Sequence, residues 1–391
     1  MKYDAVVIGG GLLGLFTALE ILRRGYRVAI AEKETLCSGS CSRSTGIMTR
    51  QLVLRADIIF ADRSIKIVRE LEKSHGKIYF KKKGVLTINS RGRVVNRLEA
   101  IYRSIGVNYK LLDPYEIRNI WNILKVRDSE VGIYTEDDGI LDIGSISYGL
   151  RKEIEDLGGS IYETCGDIYL KPDGNRVEKT ISVKSSCEVY GEIFILNVGV
   201  NTSQVYMKSF GERLSPQQIF LLCQSLAIEL GLGDDIPVIY DNVSHLYIVP
   251  ETFKRAIIGD GPCEFLESPD NVSPSRSLLD KVLDDFIDRV KGADSARPIA
   301  LISGSCDLTQ DHLPFLGRDS RYRNLFLAYG LSTYGTMRSP YLGIQLARLA
   351  MGDNVDPEIR VLSLRSTRSI EGCGEIHTPI MYSAYSPSHN F

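Results

Sequence analysis

The sequence predicts an α/β chain, α+β overall, in which a lobe on a parallel sheet is interleaved with a second lobe of mixed or antiparallel sheet. Three observations predict it. A buried strand, a glycine turn, a helix and a second strand follow one another within residues 5–32. Strand-to-glycine transitions of the same kind recur near residues 197 and 330. Between them run long alternating, strand-like stretches, so the first lobe must be discontinuous in sequence.

Ala5, Val6, Val7 and Ile8 form a continuous apolar run, as a strand covered on both faces requires. Leu12, Leu15, Phe16, Leu19 and Leu22 follow at helical spacing, and Gly25 closes the helix. A second apolar run, residues 28–31, stops at Glu32. In this frame Gly9, Gly11 and Gly14 form G-x-G-x-x-G, with Glu32 eighteen positions beyond Gly14. Gly9 permits the tight turn, Gly11 lets backbone approach a pyrophosphate, and Gly14 lets helix pack on strand. Leu12 and Leu13 open the helix whose N-terminus attracts phosphate. Glu32, followed by Lys33, would accept hydrogen bonds from an adenosine ribose; an acid there speaks against a 2′-phosphate and hence against NADP.

Residues 55–75 have the amphipathic pattern of a helix ending on Gly76. A turn at Gly84 leads into a strand, and residues 91–104 again read as helix. Asp142 or Ser145 would cap a helix over 146–157 that Gly158 and Gly159 end. Residues 161–190 alternate as antiparallel strands do, and the apolar run 193–196 leads into Asn197 and Gly199. Strand patterns follow at 216–228, 238–240, 245–249 and 255–259, then a helix at 277–290. Residues 324–352 return to strand, glycine-rich turn and helix. The expected division is 1–50, 140–205 and 298–365 for the first lobe, 51–139 and 206–297 for the second, and a C-terminal arm at 366–391.

The chain has 391 residues, 43% hydrophobic and 25% charged, with a net charge of -2. That balance is globular and offers no nucleic-acid surface. No apolar stretch is long enough to span a bilayer, and the N-terminal run lacks a cleavage site. A cytoplasmic location is expected, with peripheral attachment to a membrane through a partner left open. Eight cysteines are present and none form C-x-x-C, so neither a zinc ribbon nor a thioredoxin-like motif is indicated. Cys37 and Cys41 read as packing residues, and Cys373 with His377 are too few ligands for a metal.

Five further segments carry a resemblance: "GSCSRSTGIM", "DDGILDIGSI", "LNVGVNTS", "CDLTQDHLPFLG" and "LFLAYGLSTYGTMRSP". With the N-terminal fingerprint, the chain resembles the D-amino acid oxidase-like FAD-dependent oxidoreductases over roughly residues 3–365. These include sarcosine oxidases, glycine oxidases and dye-linked amino-acid dehydrogenases. The resemblance implies a Rossmann-like FAD-binding domain interleaved with a substrate domain. It implies that Ser40, Ser42, Arg43, Ser44, Thr45 and Gly46 wrap the flavin. Asn197 and Gly199 would end the second cofactor strand, while Gly304, Gly330, Ser332, Tyr334, Gly335, Thr336 and Met337 would surround the reactive ring. Gln310 replaces the family's usual proline. The position that carries a flavin-linked cysteine in monomeric sarcosine oxidases falls on Gly304, so tightly held, noncovalent FAD is expected.

The implied reaction moves a hydride from the α-carbon of an amino acid or secondary amine to flavin N5. A 2-hydroxy acid such as lactate, or glycerol phosphate, is the alternative donor, and a flavoprotein subunit of a larger electron-transfer complex the alternative role. The electron acceptor is left open among a quinone, oxygen and a redox protein. Arg50 and Arg338 are candidates to grip a substrate carboxylate. Tyr247 would orient the ligand from a strand of the substrate lobe, and His245, on the same strand face, would be a base. His312 reads as structural. The arm at 366–391 would dock on a partner subunit, a second copy or the chain's own surface.

Overall fold

The computed structural model describes residues 2–52, 54–183, 187–233, 235–252, 254–260, 264–270 and 272–363. The arm at 366–391, with Cys373 and His377, lies outside them. In chain order the first elements are β1 (Lys2–Ile8), α1 (Leu12–Arg23), β2 (Val28–Ala31), β3 (Ile47–Met48) and α2 (Arg55–His75). There follow β4 (Phe80–Lys82), β5 (Val85–Ser90), α3 (Arg93–Ile105), β6 (Lys110–Leu112), α4 (Pro114–Ile120), β7 (Glu130–Thr135) and β8 (Gly139–Leu141). The middle of the chain forms α5 (Ile143–Asp156), β9 (Ser160–Tyr162), β10 (Ile168–Asp173), β11 (Arg176–Ser182), β12 (Tyr190–Leu196) and α6 (Thr202–Phe210). Then come β13 (Ile219–Glu229), β14 (Val238–Asp241), β15 (Leu246–Thr252), β16 (Arg255–Asp260), β17 (Glu264–Leu266) and α7 (Arg276–Arg289). The chain closes with β18 (Arg297–Leu308), β19 (Phe315–Arg318), β20 (Leu325–Tyr329), α8 (Gly335–Ala350) and α9 (Pro357–Ser363).

The first sheet runs β9, β2, β1, β12, β20 in parallel, with β19 antiparallel on β20. The antiparallel hairpin β10–β11 joins the start of β12. Ala5 and Val7 face α1 and α8, whereas Val6 and Ile8 face Ile168, Leu170 and Leu196. Cover on both faces is why β1 reads as an unbroken apolar run. Gly343 lets α8 lie on α1, because a Cβ there would come within 2.8 Å of Leu13 O and of Phe16 Cβ. Asp142 is the cap of α5, its Oδ1 accepting from Ser145 N–H at 2.9 Å.

The second sheet runs β17, β13, β16, β15, β14, β5, β7, β6, and β18 pairs with β13 along its length. Residues 298–308 therefore extend this sheet, although the sequence reading grouped them with the first lobe. Only the cross-strand partner, 219–229, reveals that. On the outer face, Arg289 is 4% exposed and holds Glu130 at 2.8 Å and Asp241 at 2.7 Å, closing a buried ion network under α7. A small antiparallel sheet of β3, β8 and β4 carries the chain between the two larger ones.

Cys165 and Cys187 form a disulfide beneath the β10–β11 hairpin. Their 22-residue separation left no sequence sign of it. Among the described residues no helix is long and apolar enough to cross a membrane.

Candidate active site

The turn between β1 and α1 shows why the glycines stand where they do. Gly9 has φ +104°, and a Cβ there would lie 2.6 Å from Asn197 O. A Cβ on Gly14 would lie 2.1 Å from Gly9 O and 2.8 Å from Asn197 Oδ1, so helix, turn and β12 meet in van der Waals contact only because side chains are lacking. Gly11 differs: the nearest atom to its ideal Cβ is Cys41 Sγ at 3.8 Å, because it faces a cavity. As N-cap of α1 it supplies no side-chain acceptor, which leaves the first-turn donors directed at that space. Glu32 sits at the end of β2, with Oε2 accepting from Gly10 N–H at 2.6 Å and Oε1 from Glu34 N–H at 3.0 Å.

The cavity has a volume of about 940 Å³ and runs from this turn to the inner face of the second sheet. Gly9, Gly11, Leu12, Leu13, Glu32 and Lys33 line its first part. Ser40, Arg43, Ser44 and Thr45 line it further on, with Gly304 beside Arg43, as do Asn197 and Gly199. Ser332, Tyr334, Gly335 and Thr336 line it at the start of α8, where Ser44 Oγ and Thr336 Oγ1 are hydrogen-bonded at 2.9 Å. Among the described residues both amide atoms of Asn197 and the Ser332 hydroxyl are buried without a partner. Unpartnered polar atoms, an open Gly11 and two uncapped helix N-termini on one elongated cavity fit a dinucleotide cofactor.

Register builds the far end. Thr87 on β5 pairs with Ile133 on β7 and with Tyr240 on β14, and Tyr240 pairs with Tyr247 on β15. Tyr247 pairs with Gly259 on β16, Gly259 with Ser225 on β13, and Ser225 with Ile302 on β18. Paired residues share a sheet face, so this row spans seven strands, and all its members but Gly259 line the cavity. Gly259 makes room for its neighbour: a Cβ there would lie 2.1 Å from Tyr247 Cζ. Burial pushes the Tyr240 and Tyr102 hydroxyls above their ordinary pKa, which keeps both as donors. Gln51 donates to Val85 O at 2.7 Å and to Thr135 Oγ1 at 2.9 Å, while Asn242 donates to Asn89 Oδ1 at 2.7 Å. These bonds leave Gln51 Oε1 and Asn242 Oδ1, with Thr87 Oγ1, as buried oxygens without partners among the described residues.

Several predicted residues stand elsewhere. Arg50 does not line the cavity; its guanidinium bonds Asp62 at 2.9 Å and Asp138 at 2.6 Å, and Asp138 is fully buried. The adjacent Gln51 takes the cavity wall instead. Arg338 is 0% exposed and turned to Asp57, Leu331 O and His312 O, so it braces the loop before α8 and does not reach the cavity. His245 lies in the turn before β15 at φ +60°, so the strand alternation that put it beside Tyr247 does not extend to it. Met337 packs in the core with Ile47 and Val249. Gly330 does not line the cavity but donates to Asp307, which does, at 2.6 Å, and Gly46 packs on Leu141 O. Ser42 closes its own turn on Ser38 O, while Gly14 acts through packing. Thr87 and Tyr240 carried no sequence signal because their shared face depends on strand pairing, and Gln51, Tyr102 and Asn242 none because a loop, α3 and the turn after β14 reach the cavity only in the folded chain.

A family model described as FAD dependent oxidoreductase matches residues 4–349. Sarcosine dehydrogenase of Mus musculus is 24% identical over 367 residues, covering 88% of this chain and 39% of that protein. The chain thus spans about two-fifths of the length of that relative. Glycine oxidase of Geobacillus kaustophilus is 24% identical over 372 residues, covering 89% of this chain and 93% of that one. Among solved structures, L-proline dehydrogenase from P. horikoshii superposes with a TM-score of 0.84 at 21% identity, covering 93% of this chain and 96% of that one.

Proposed function

The chain belongs to the FAD-dependent oxidoreductases, and from that premise we propose that it oxidises the C–N bond of an amino acid or secondary amine, the substrate α-carbon giving a hydride to noncovalently held FAD. Bound FAD would supply the two-electron acceptor chemistry, leaving the protein to bind and align. The observation that carries the reading is the row of residues crossing the second sheet at the far end of the cavity.

Leu12 N–H and its neighbours at the start of α1 would receive the pyrophosphate, and Glu32 the ribose hydroxyls. The start of α8 at Gly335 and Thr336 would place a helix N-terminus against the reactive ring, where it favours added negative charge. The Tyr240 and Tyr247 hydroxyls would donate to a substrate carboxylate. Gln51 Oε1, Asn242 Oδ1 and Thr87 Oγ1 are acceptors suited to N–H. A neutral primary amine brings two N–H donors to these oxygens, where a neutral secondary amine or a 2-hydroxy acid brings one. The row holds no carboxylate or imidazole, and Asp307 in the cavity wall has its Oδ2 accepting from Gln218 Nε2 and Gly330 N–H; the amine would then react in its neutral form and reduction would quicken as pH rises toward the amine's own pKa.

Gly304 also supports a noncovalent cofactor, having no side chain to attach and facing the Arg43 stem. The test is anaerobic mixing of the holoprotein with glycine, sarcosine, proline, lactate and glycerol phosphate while following the visible flavin band. Bleaching by an amine supports the reading. Bleaching only by lactate or glycerol phosphate overturns it, and flavin that stays with acid-precipitated protein overturns the noncovalent assignment.

A further inference from the structure

Two thiols lie side by side in the cavity wall, and no step proposed above uses them. Cys223 on β13 and Cys306 on β18 have their sulfurs 2.9 Å apart, and both line the cavity. Their nearness follows from register. Leu221 pairs with Cys306 and Cys223 with Gly304, so the two cysteines are diagonal neighbours on one face of an antiparallel pair. Among the described residues neither shares a disulfide, and both are partly exposed toward the cavity. A disulfide needs its sulfurs at about 2.05 Å, so the sulfurs have less than 1 Å to close, with the strands carrying these diagonal neighbours adjusting to bring the backbones together. The backbones are already joined by ladder hydrogen bonds.

We propose that Cys223 and Cys306 form a thiol–disulfide redox site that small disulfides of the glutathione class oxidise. One thiolate attacks a sulfur of the small disulfide, whose S–S bond breaks to release a thiol that takes up one proton. The second cysteine then attacks the protein-bound sulfur of this mixed disulfide and releases the second thiol with the second proton. Two electrons pass from the cysteine pair to the small disulfide, and one S–S bond is exchanged for another. The product staples β13 to β18 in the cavity wall and removes two S–H donors from it. Cys37 and Cys41 also line the cavity, near the glycine turn, where their thiols are hydrogen-bonded to each other. Cys37 Sγ is turned to Gly10 O at 3.7 Å.

The experiment is independent of substrate turnover, so it stands or falls separately from the amine-oxidation reading. The full-length holoprotein is equilibrated in buffers of graded reduced to oxidised glutathione, quenched in acid, unfolded, alkylated with N-ethylmaleimide and mapped by peptide mass spectrometry. The expected result is the joint loss of alkylation at Cys223 and Cys306 with the appearance of one cross-linked peptide containing both. Cys223→Ser and Cys306→Ser each abolish that peptide, and the remaining cysteine then carries glutathione. Full alkylation of both cysteines at every poise overturns the proposal. So does glutathione on either one in the parent protein without a cross-link, or a cross-link formed only after unfolding.

Discussion

Arg338 donates to Asp57 from Nε at 2.9 Å and from Nη2 at 2.7 Å, joining α8 to α2 across 281 residues of sequence with side chains 1% and 3% exposed. The same guanidinium reaches Leu331 O and His312 O, so the loop that enters α8 hangs on one buried ion pair.

Arg338→Met would leave the Asp57 carboxylate buried and unpaired, a loss of about 3–5 kcal/mol. Urea denaturation should show that loss, while the flavin bound to the surviving folded protein is reduced as in the parent. A variant of parental stability with a raised KM for carboxylated substrates would instead put Arg338 on the substrate.

Gly11 and Gly14 should separate cofactor binding from folding. Gly11→Ala meets only an ordinary contact at 3.8 Å, so the variant should fold with parental stability and lose flavin affinity about tenfold or more, its methyl occupying the approach of the pyrophosphate. Gly14→Ala meets backbone oxygen at 2.1 Å and should lose about 1–3 kcal/mol of stability. Flavin titration by fluorescence quenching, paired with thermal melts, checks both.

The Tyr247 ring rests on the bare Gly259 backbone. Tyr247→Phe should raise the substrate concentration for half-maximal flavin reduction about tenfold, the worth of one hydrogen bond to a charged group. Gly259→Ala keeps the hydroxyl but displaces the ring, and should impair reduction in the same direction. Rapid-mixing spectroscopy reads both. Parental kinetics in the two variants would remove Tyr247 from the substrate.

Burial pushes the His312 imidazole down from 6.5 to about 4, with Arg338 acting in the same sense and Asp311 against it. Between those values the unfolded chain binds the proton and the folded one does not. Stability should therefore fall as pH drops from about 6.5 to 4, by up to about 3 kcal/mol. His312 has φ +61°, which asparagine tolerates, so His312→Asn should flatten that part of the curve in denaturation experiments from pH 4 to 8. A slope equal to the parent's would assign the acid sensitivity to other groups.

The first turn was legible because its physics is local. Gly9, Gly11, Gly14 and Glu32 act within one strand–helix–strand unit, where residue type and spacing state the conformational need directly. The two arginines were misread for the opposite reason. A sequence displays a charge without showing whether it is already answered, and Asp57 answers Arg338 while Asp62 and Asp138 answer Arg50. At the far end of the cavity only Tyr247 was named from the sequence, because residues 87, 133, 225, 240 and 302 join it only through strand pairing. The same long-range pairing moved β18 into the second sheet and set Cys306 beside Cys223. By itself the sequence determined the dinucleotide turn, the alternation of lobes and the order of the main elements, all properties of near neighbours. Which side chains face the cavity, and which are spent on buried partners, was decided by tertiary structure, because register and burial are set by residues far away along the chain.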